Sequence, residues 1–262
     1  MVNTAYFADI WQARYFWLHL ALADIRCKYR RSMLGITWAI LQPFCLTLLF
    51  AFVMSHIFHV PMHDYALYIY SGLIIWEFIV SVIMSGCMAF INAEGYIKQF
   101  RHPLLIYSLR CTLASLINLL FASIGLIIWI LLENPLHAGL SWLTLFASYS
   151  LLLLFAWPLA SLMAFIGVRF RDFSQVMILV LQAIYFISPI LFLPAIFKAN
   201  GMSYLFSWNP LYYLLNLFRM PLLQGVVPAF TDYVIVLMVS IALWICLALF
   251  VRRHEHQVIF YL

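Results

Sequence analysis

Charge is the scarcest commodity in this sequence. Only 9% of its residues are Asp, Glu, Lys or Arg, and 67% are hydrophobic. Soluble domains carry about 25% charged residues, so this balance, with a mean hydropathy of +1.03, excludes a soluble globular fold. Glycine is scarce too: nine residues are too few for a glycine-rich nucleotide-binding domain. The chain has no G-x-x-x-x-G-K-[ST] phosphate loop, no H-E-x-x-H, no G-x-S-x-G and no carboxylate pair beside a histidine. It therefore holds no machinery for hydrolysing a nucleotide and no catalytic residues. Cys27, Cys45, Cys87, Cys111 and Cys246 form no C-x-x-C pair, which predicts reduced, buried structural thiols rather than disulfides or a metal site. The first 35 residues carry charges throughout, so they lack the apolar h-region of a cleavable signal peptide.

What is present is a set of long apolar runs with cations at their ends. The net charge of +5 is therefore a topology signal rather than a nucleic-acid stripe. Six runs suffice to cross a hydrocarbon core of about 30 Å, near 36–58, 66–91, 104–132, 140–166, 174–194 and 230–251. Starting inside, every Lys and Arg except Lys198 and Arg219 falls on the cytoplasmic side. The expectation is all-α, one transmembrane domain over 1–262, six spans, N-in and C-in. Its parts are a cytoplasmic or interfacial helix over 1–35, spans one to five over 36–194, an outer segment over 195–229, span six over 230–251 and a cytoplasmic tail over 252–262. The chain is organised around Arg26-Cys-Lys-Tyr-Arg-Arg-Ser-Met-Leu-Gly-Ile-Thr-Trp-Ala-Ile-Leu-Gln-Pro43, whose cations Arg26, Lys28, Arg30 and Arg31 anchor the first span.

Within these bounds several features stand out. Phe7, Ile10, Trp11, Tyr15, Leu18 and Leu22 recur at helical spacing, predicting an amphipathic helix along the headgroups. Trp38, Gln42, Cys45, Leu49, Phe52 and His56 share one face of span one, too polar a stripe to face lipid. Pro43 is a candidate kink. Gln175, Gln182, Tyr185, Phe186 and Pro189 make a second stripe on span five. Glu77 lies midway along span two, and an intramembrane carboxylate is either functional or a hydrogen-bonded packing residue. Ser81, Ser85 and Ala89 repeat the small-residue spacing of close helix contact, as Asn118 and Ala122 do more weakly. His56, His59 and His63 lie at helical spacing near the outer end of span one and read as an interfacial polar cluster rather than a metal site. Residues 92–102 predict a short helix capped by Asn92, and Gly167–Phe173 a compact loop. Both have the shape of docking surfaces. In 194–229, Asn209 and Pro210 predict a helix start, the helix running over Leu211–Met220 and stopping at Pro221. Two short re-entrant helices before span six are expected there.

Four pieces carry a resemblance: the stretch from Arg26 to Pro43, Val168-Arg-Phe-Arg-Asp172, Tyr185-Phe-Ile-Ser-Pro189 and Trp208-Asn-Pro-Leu211. In this order and these places they resemble the permease subunits of ABC-2-type polysaccharide exporters, which move O-antigen, capsule and teichoic acid chains. The terminal Arg252–Tyr261 is most like the O-antigen type. The resemblance covers nearly the whole chain. It implies a homodimer in the bacterial inner membrane, with two copies of a cytoplasmic ATPase that binds ATP and Mg²⁺. The substrate it implies is a polysaccharide on undecaprenyl diphosphate, moved from cytoplasm to periplasm. It implies a channel lined by Trp38, Gln42, Phe52, Gln182, Tyr185 and Phe186, whose aromatic faces suit a moving sugar chain because they fix few hydrogen bonds. It implies contact of Arg26, Lys28, Arg30 and Arg31 with the diphosphate, although positive-inside anchoring alone would also select them. ATPase coupling would fall to Glu94, Tyr96, Lys98, Arg101, Arg169, Arg171 and Asp172, and a periplasmic gate to Pro189, Trp208, Asn209 and Pro210. Rival readings are an ABC-2 exporter of a small drug or lipid, and an integral-membrane enzyme acting on polyprenyl-linked sugars.

Overall fold

The computed structural model describes residues 4–58, 61–100, 102–133, 139–194, 201 and 204–262. Among them there is no strand. Helices α1 (Thr4–Gln12) and α2 (Arg14–Tyr29) are followed by α3 (Trp38–Phe58), α4 (Met62–Cys87), the short α5 (Glu94–Gln99), α6 (Leu105–Glu133) and α7 (Thr144–Arg169). Then come α8 (Phe173–Ile187), a helical turn at Tyr204–Ser207, α9 (Pro210–Arg219), α10 (Phe230–His254) and a terminal turn at Val258–Tyr261.

Among the described residues, five segments are long and apolar enough to cross a membrane: Gly35–Ile57, Tyr65–Cys87, Leu105–Glu133, Leu140–Arg169 and Phe230–His254. The 174–194 run differs from its expected span. Its helix has 15 residues and rises about 22 Å, against about 30 Å of hydrocarbon. The cause is local. Ser188 precedes a proline, which disfavours the helical region, and its backbone is extended at ψ 146°.

α4 is the hub, packed against α3, α6, α7, α8 and α9, and α10 lies against α7 and α9. Most of the α4 segment is buried (61%), against 17% for α3 and 22% for α10. The centre is closed by small residues. Serine hydroxyls pair across helices at Ser81–Ser115 (2.8 Å) and Ser108–Ser161 (2.7 Å), the polar counterpart of close small-residue packing. Gly86 lies so close to Ala160 that an added Cβ would stand 2.9 Å from its carbonyl oxygen.

The end of the bundle that carries both termini, here the basal end, has its own apolar core. It joins Ile10 of α1, Ala89 and Phe90 after α4, Ile97 of α5, Leu104–Tyr107, Ala164, Phe165 and Val168 of α7, Val251 of α10 and Val258. Tyr6 donates to Glu255 Oε1 (2.9 Å), and Phe7 packs between Trp157 and Trp244.

Four local expectations are corrected. The N-terminal helix is two helices, and α2 packs along α6: Arg110 of α6 holds Asp24 through two bonds (2.5 and 2.6 Å), and Tyr29 donates to Asn118 (2.7 Å). Asn92 does not cap α5. The turns over 88–93 run straight into that helix, and the amides of Glu94, Tyr96 and Ile97 go to the carbonyls of Ile91 and Ala93 with no side-chain cap. α9 does not stop at Pro221, because the chain continues through it as a π-helical turn, Met220–Gln224, and ends at Gly225 with φ 66°. Cys27, Cys45 and Cys246 are exposed rather than buried, since they lie on outward faces of α2, α3 and α10. Of the two short helices expected in 194–229, α9 packs against α4, α7 and α10. Residues 195–200 and 202–203 of that segment lie outside the described residues.

Candidate functional site

A cavity of about 900 Å³ lies between α2, α3, α4, α6 and α8. Its walls come from separate stretches of sequence, brought together because α4 is surrounded by the others. α3 contributes Trp38, Gln42, Leu46 and Phe50, and α4 contributes Trp76, Glu77, Ser81 and Met84. Asn118 and Ser115 come from α6, and Gln182, Tyr185 and Phe186 from α8. Lys28, Tyr29 and Ser32 stand at its rim, where α2 ends against α6. The rings of Trp76 and Tyr185 meet at 5.4 Å, and those of Tyr185 and Phe186 at 5.6 Å. This wall offers flat apolar faces with amides and a carboxylate between them. Such a wall suits a ligand that is part ring face and part hydroxyl.

Electrostatics at the rim are set by burial. Desolvation lowers the pKa of Lys28 and is partly opposed by the charge of Glu77. Burial raises that of Tyr29, with Glu77 adding to it. Lys28 and Glu77 are thus the cation and the carboxylate that feel one another in this space.

Five of the six residues assigned to a channel (Trp38, Gln42, Gln182, Tyr185 and Phe186) line this one cavity. Phe52 does not. It faces outward with Leu49 and Cys45 on α3, its ring tilted against that of His56 at 5.0 Å. The span-one stripe therefore divides, its first turn towards the cavity and the rest onto an open face. Of the basic group, Lys28 alone reaches the cavity, while Arg26, Arg30 and Arg31 are exposed outside it. Arg31 takes a left-handed backbone, φ 68°, in the reversal between α2 and α3.

At the basal surface, α5 and the loop after α7 lie near one another. Lys98 pairs with Glu94 at 2.5 Å, and Lys98, then more weakly Arg171, hold the Glu94 carboxyl below the ordinary range. Tyr96 packs edge-on against Phe16 at 5.9 Å. Arg169 lies over the rings of Phe170 (5.8 Å) and Tyr261 (5.5 Å), and Arg171 and Asp172 are exposed. Arg101 lies outside the described residues.

At the opposite, distal end, the two proline motifs meet. Asn209 caps α9, accepting from the Leu211 amide (3.0 Å), and its own amide donates to Ser188 Oγ (2.8 Å). Pro210 fills the first helical position, and Trp208 is almost fully exposed. Pro189 presents its carbonyl to Tyr68 and Arg219. His63 pairs with Glu133 (2.8 Å) and His56 with the Phe52 carbonyl (2.7 Å). His59 lies outside the described residues.

Sequence reasoning missed Arg219, Tyr68 and Trp76. Arg219 had a usable signal: it is the one cation of an otherwise apolar ten-residue helix, and such residues mark special sites in membranes. Counting it only as an outer-side charge hid it.

The described elements define a polytopic helical membrane protein with a half-open cavity between its helices. No family model matches the chain. It is 28% identical over 242 residues to the polysialic acid transport protein KpsM of Escherichia coli, covering 90% of this chain and 92% of that one. It is 22% identical to the O-antigen export permease RfbA of Klebsiella pneumoniae, covering 78% of each. To the RfbA permease of Myxococcus xanthus it is 22% identical, covering 94% of this chain and 95% of the relative. Over most of its length the chain is thus similar to a polysialic acid transport protein and to O-antigen export permeases.

Proposed function

We propose that this chain is the path-forming membrane subunit of an ATP-driven exporter that carries a polysaccharide on undecaprenyl diphosphate, of the O-antigen type, from cytoplasm to periplasm. It acts as a homodimer in the bacterial inner membrane, N-in and C-in with six crossings, α8 and the segment after it together making the fifth. Each copy docks one ATPase subunit, which binds the ATP and Mg²⁺. One observation carries the reading: Trp38 and Gln42 from α3 meet Gln182, Tyr185 and Phe186 from α8 around a single cavity, with Trp76 and Glu77 on its third wall. Ring faces hold sugar C–H faces without fixing a register, so a chain can slide. Amides exchange hydrogen bonds with successive hydroxyls at little net cost.

Each step has residues suited to it. Lys28 at the rim is placed to meet a phosphate, with Arg26, Arg30 and Arg31 as the outer basic shell. Phe52 and the rest of the open α3 face are placed for the second copy. Glu94, Tyr96, Lys98, Arg101, Arg169, Arg171 and Asp172 form the ATPase surface. Pro189, Trp208, Asn209 and Pro210 close the distal end.

The test is deletion of the gene in its host, followed by complementation. Loss of surface polymer with its accumulation in the cytoplasm is the expected outcome. Gln42→Trp and Gln182→Trp, which fill the cavity, should lower export at least tenfold at normal membrane abundance. Met238→Trp, on the exposed face of α10, should not. Undiminished surface polymer in the deletion strain would refute the function, and equal export by all three variants would move the path elsewhere.

A further inference from the structure

Arg219 is 6% exposed, and among the described residues no carboxylate pairs with it. Its partners are instead the backbone of a broken helix and one face of α4. Nη1 donates to the Pro189 carbonyl (2.7 Å), Nη2 to the carbonyls of Ile190 and Tyr68 (3.2 Å each), and Nε to Ser71 Oγ (3.3 Å). The guanidinium carbon sits 3.7 Å from the centre of the Tyr68 ring.

The reason for so unusual a set lies in α8. A helix that stops within the bundle leaves its last carbonyls without intrahelical partners. In an apolar surrounding those groups must be paired by the protein itself. The carbonyls of the non-helical residues just past Ile187 have the same need, and side chains supply their partners. Tyr68 Oη donates to Pro189 (2.9 Å) and Phe192 (3.1 Å), Tyr65 Oη donates to Leu191 (2.5 Å), and Arg219 takes Pro189 and Ile190. A cation at this end also complements the negative pole of the helix. Space for the guanidinium comes from Gly72. A Cβ there would overlap Nη2 of Arg219 and stand 3.2 Å from the Ile190 oxygen. α9 is thus tied to the break at both of its ends, by Asn209 to Ser188 and by Arg219 to the two carbonyls beyond.

We propose that Arg219 is a positioning residue for transport: by clasping the end of α8 to α4 it fixes the cavity wall made by Gln182, Tyr185 and Phe186. Its effect on transport rests on the export reading above, but its effect on the wall does not. Lysine cannot replace it, because one ammonium cannot span acceptors on Pro189, Ile190, Tyr68 and Ser71 as a planar fork does.

The test uses the full-length chain with its five cysteines replaced by serine, in lipid nanodiscs, with spin labels at two pairs of exposed sites. One pair, Met62→Cys with Ile187→Cys, reports the clasped end of α4 and α8. The other, Met88→Cys with Val176→Cys, reports their basal end. Arg219→Met and Arg219→Lys should each broaden the first distance distribution at least twofold and leave the second unchanged. Gly72→Val, which keeps the charge but displaces it, should do the same. In the host, all three should lower surface polymer at least tenfold at normal membrane abundance. An unchanged first distribution in these variants, or equal broadening at both ends, would overturn the positioning role. So would full export by Arg219→Lys. If the first distribution alone broadens but deleting the gene leaves surface polymer intact, the clasp stands and the export reading falls.

Discussion

Replacing Gly167 with alanine tests the packing on which both ends of the molecule depend. Gly167 lies two residues before the end of α7. A Cβ at this position would fall far inside van der Waals distance of the Cys87 carbonyl oxygen, and 2.9 and 3.0 Å from its carbon and Cα. These are backbone atoms of α4, so no rotamer change relieves the clash, and the helices must separate by about an ångström. Overpacking typically costs about 1–3 kcal/mol, and a gap of this size forfeits up to half of each neighbouring dispersion contact. Taking about 2–3 kcal/mol, the melting temperature of a chain of this size should fall by roughly 4–12 °C. The assay is thermal unfolding of the purified chain in detergent, followed by tryptophan fluorescence. Gly95→Ala is the control. Nothing lies within 4 Å of a Cβ there, and Gly95 sits inside α5, so alanine should stabilise slightly through helix propensity, by up to about 1 kcal/mol. A Gly167→Ala protein as stable as the parent, or one no worse than Gly95→Ala, would refute the argument.

Other expectations follow from the same geometry. Burial lowers the Lys28 pKa, so its positive charge fades as pH rises, before the ordinary lysine value of about 10.4. Binding of a polyprenyl diphosphate in nanodiscs should weaken across that window, while Lys28→Arg, which stays charged, should give a flat profile. Identical profiles would remove Lys28 from phosphate contact. The paired bonds between Arg110 and Asp24 should give a coupling of about 1–3 kcal/mol in a double-mutant cycle with Asp24→Asn and Arg110→Met. A value under about 0.5 kcal/mol would mean that buried Leu20, Ala21 and Ile25 and the Tyr29–Asn118 bond hold α2 without help from this pair. At the proposed ATPase surface, Arg171→Glu and Asp172→Arg should abolish coupling of ATP hydrolysis to export at normal membrane abundance, and normal export by both would remove that loop from docking.

The sequence showed clearly what depends on composition and period. Long apolar runs need no tertiary knowledge to be read as helices, and five of the six expected spans appear with ends shifted by a few residues. Local chemistry was legible as well: Asn209 caps and Pro210 opens the helix that the Trp-Asn-Pro motif predicts. What escaped were consequences of contact. Ser188-Pro189 was visible, but an apolar run continues past it, and only the folded chain reveals that the helix ends there and that the carbonyls just beyond it go to Tyr65, Tyr68 and Arg219. Phe52 and Trp38 share a helical face, yet one is outside the cavity and the other within it, because period fixes direction and not how far a neighbouring helix extends. Gly72 went unremarked, and Gly167 was read as the start of a loop although it lies inside α7, because a glycine's role is defined by the atom that would strike its missing side chain.

α4 joins these sites in one unbroken helix. Tyr68, Ser71 and Gly72 hold the clasp, and Trp76, Glu77, Ser81 and Met84 face the cavity. Gly86 and Cys87 then lie against α7, and Ala89 and Phe90 just beyond enter the basal core with α5. From Tyr68 to Cys87 the rise is roughly 29 Å at 1.5 Å per residue, most of a bilayer's hydrocarbon thickness. A displacement imposed at the basal core has no loop in α4 to absorb it, so it reaches the cavity wall as a shift or tilt of the whole helix. The Gly167→Ala strain therefore has a second expected signature. Labels on Met62→Cys and Ile187→Cys, far from the substitution, should change their separation if α4 moves as a body. If only the basal pair, Met88→Cys and Val176→Cys, responds, α4 bends instead, and the two ends of the molecule are mechanically independent.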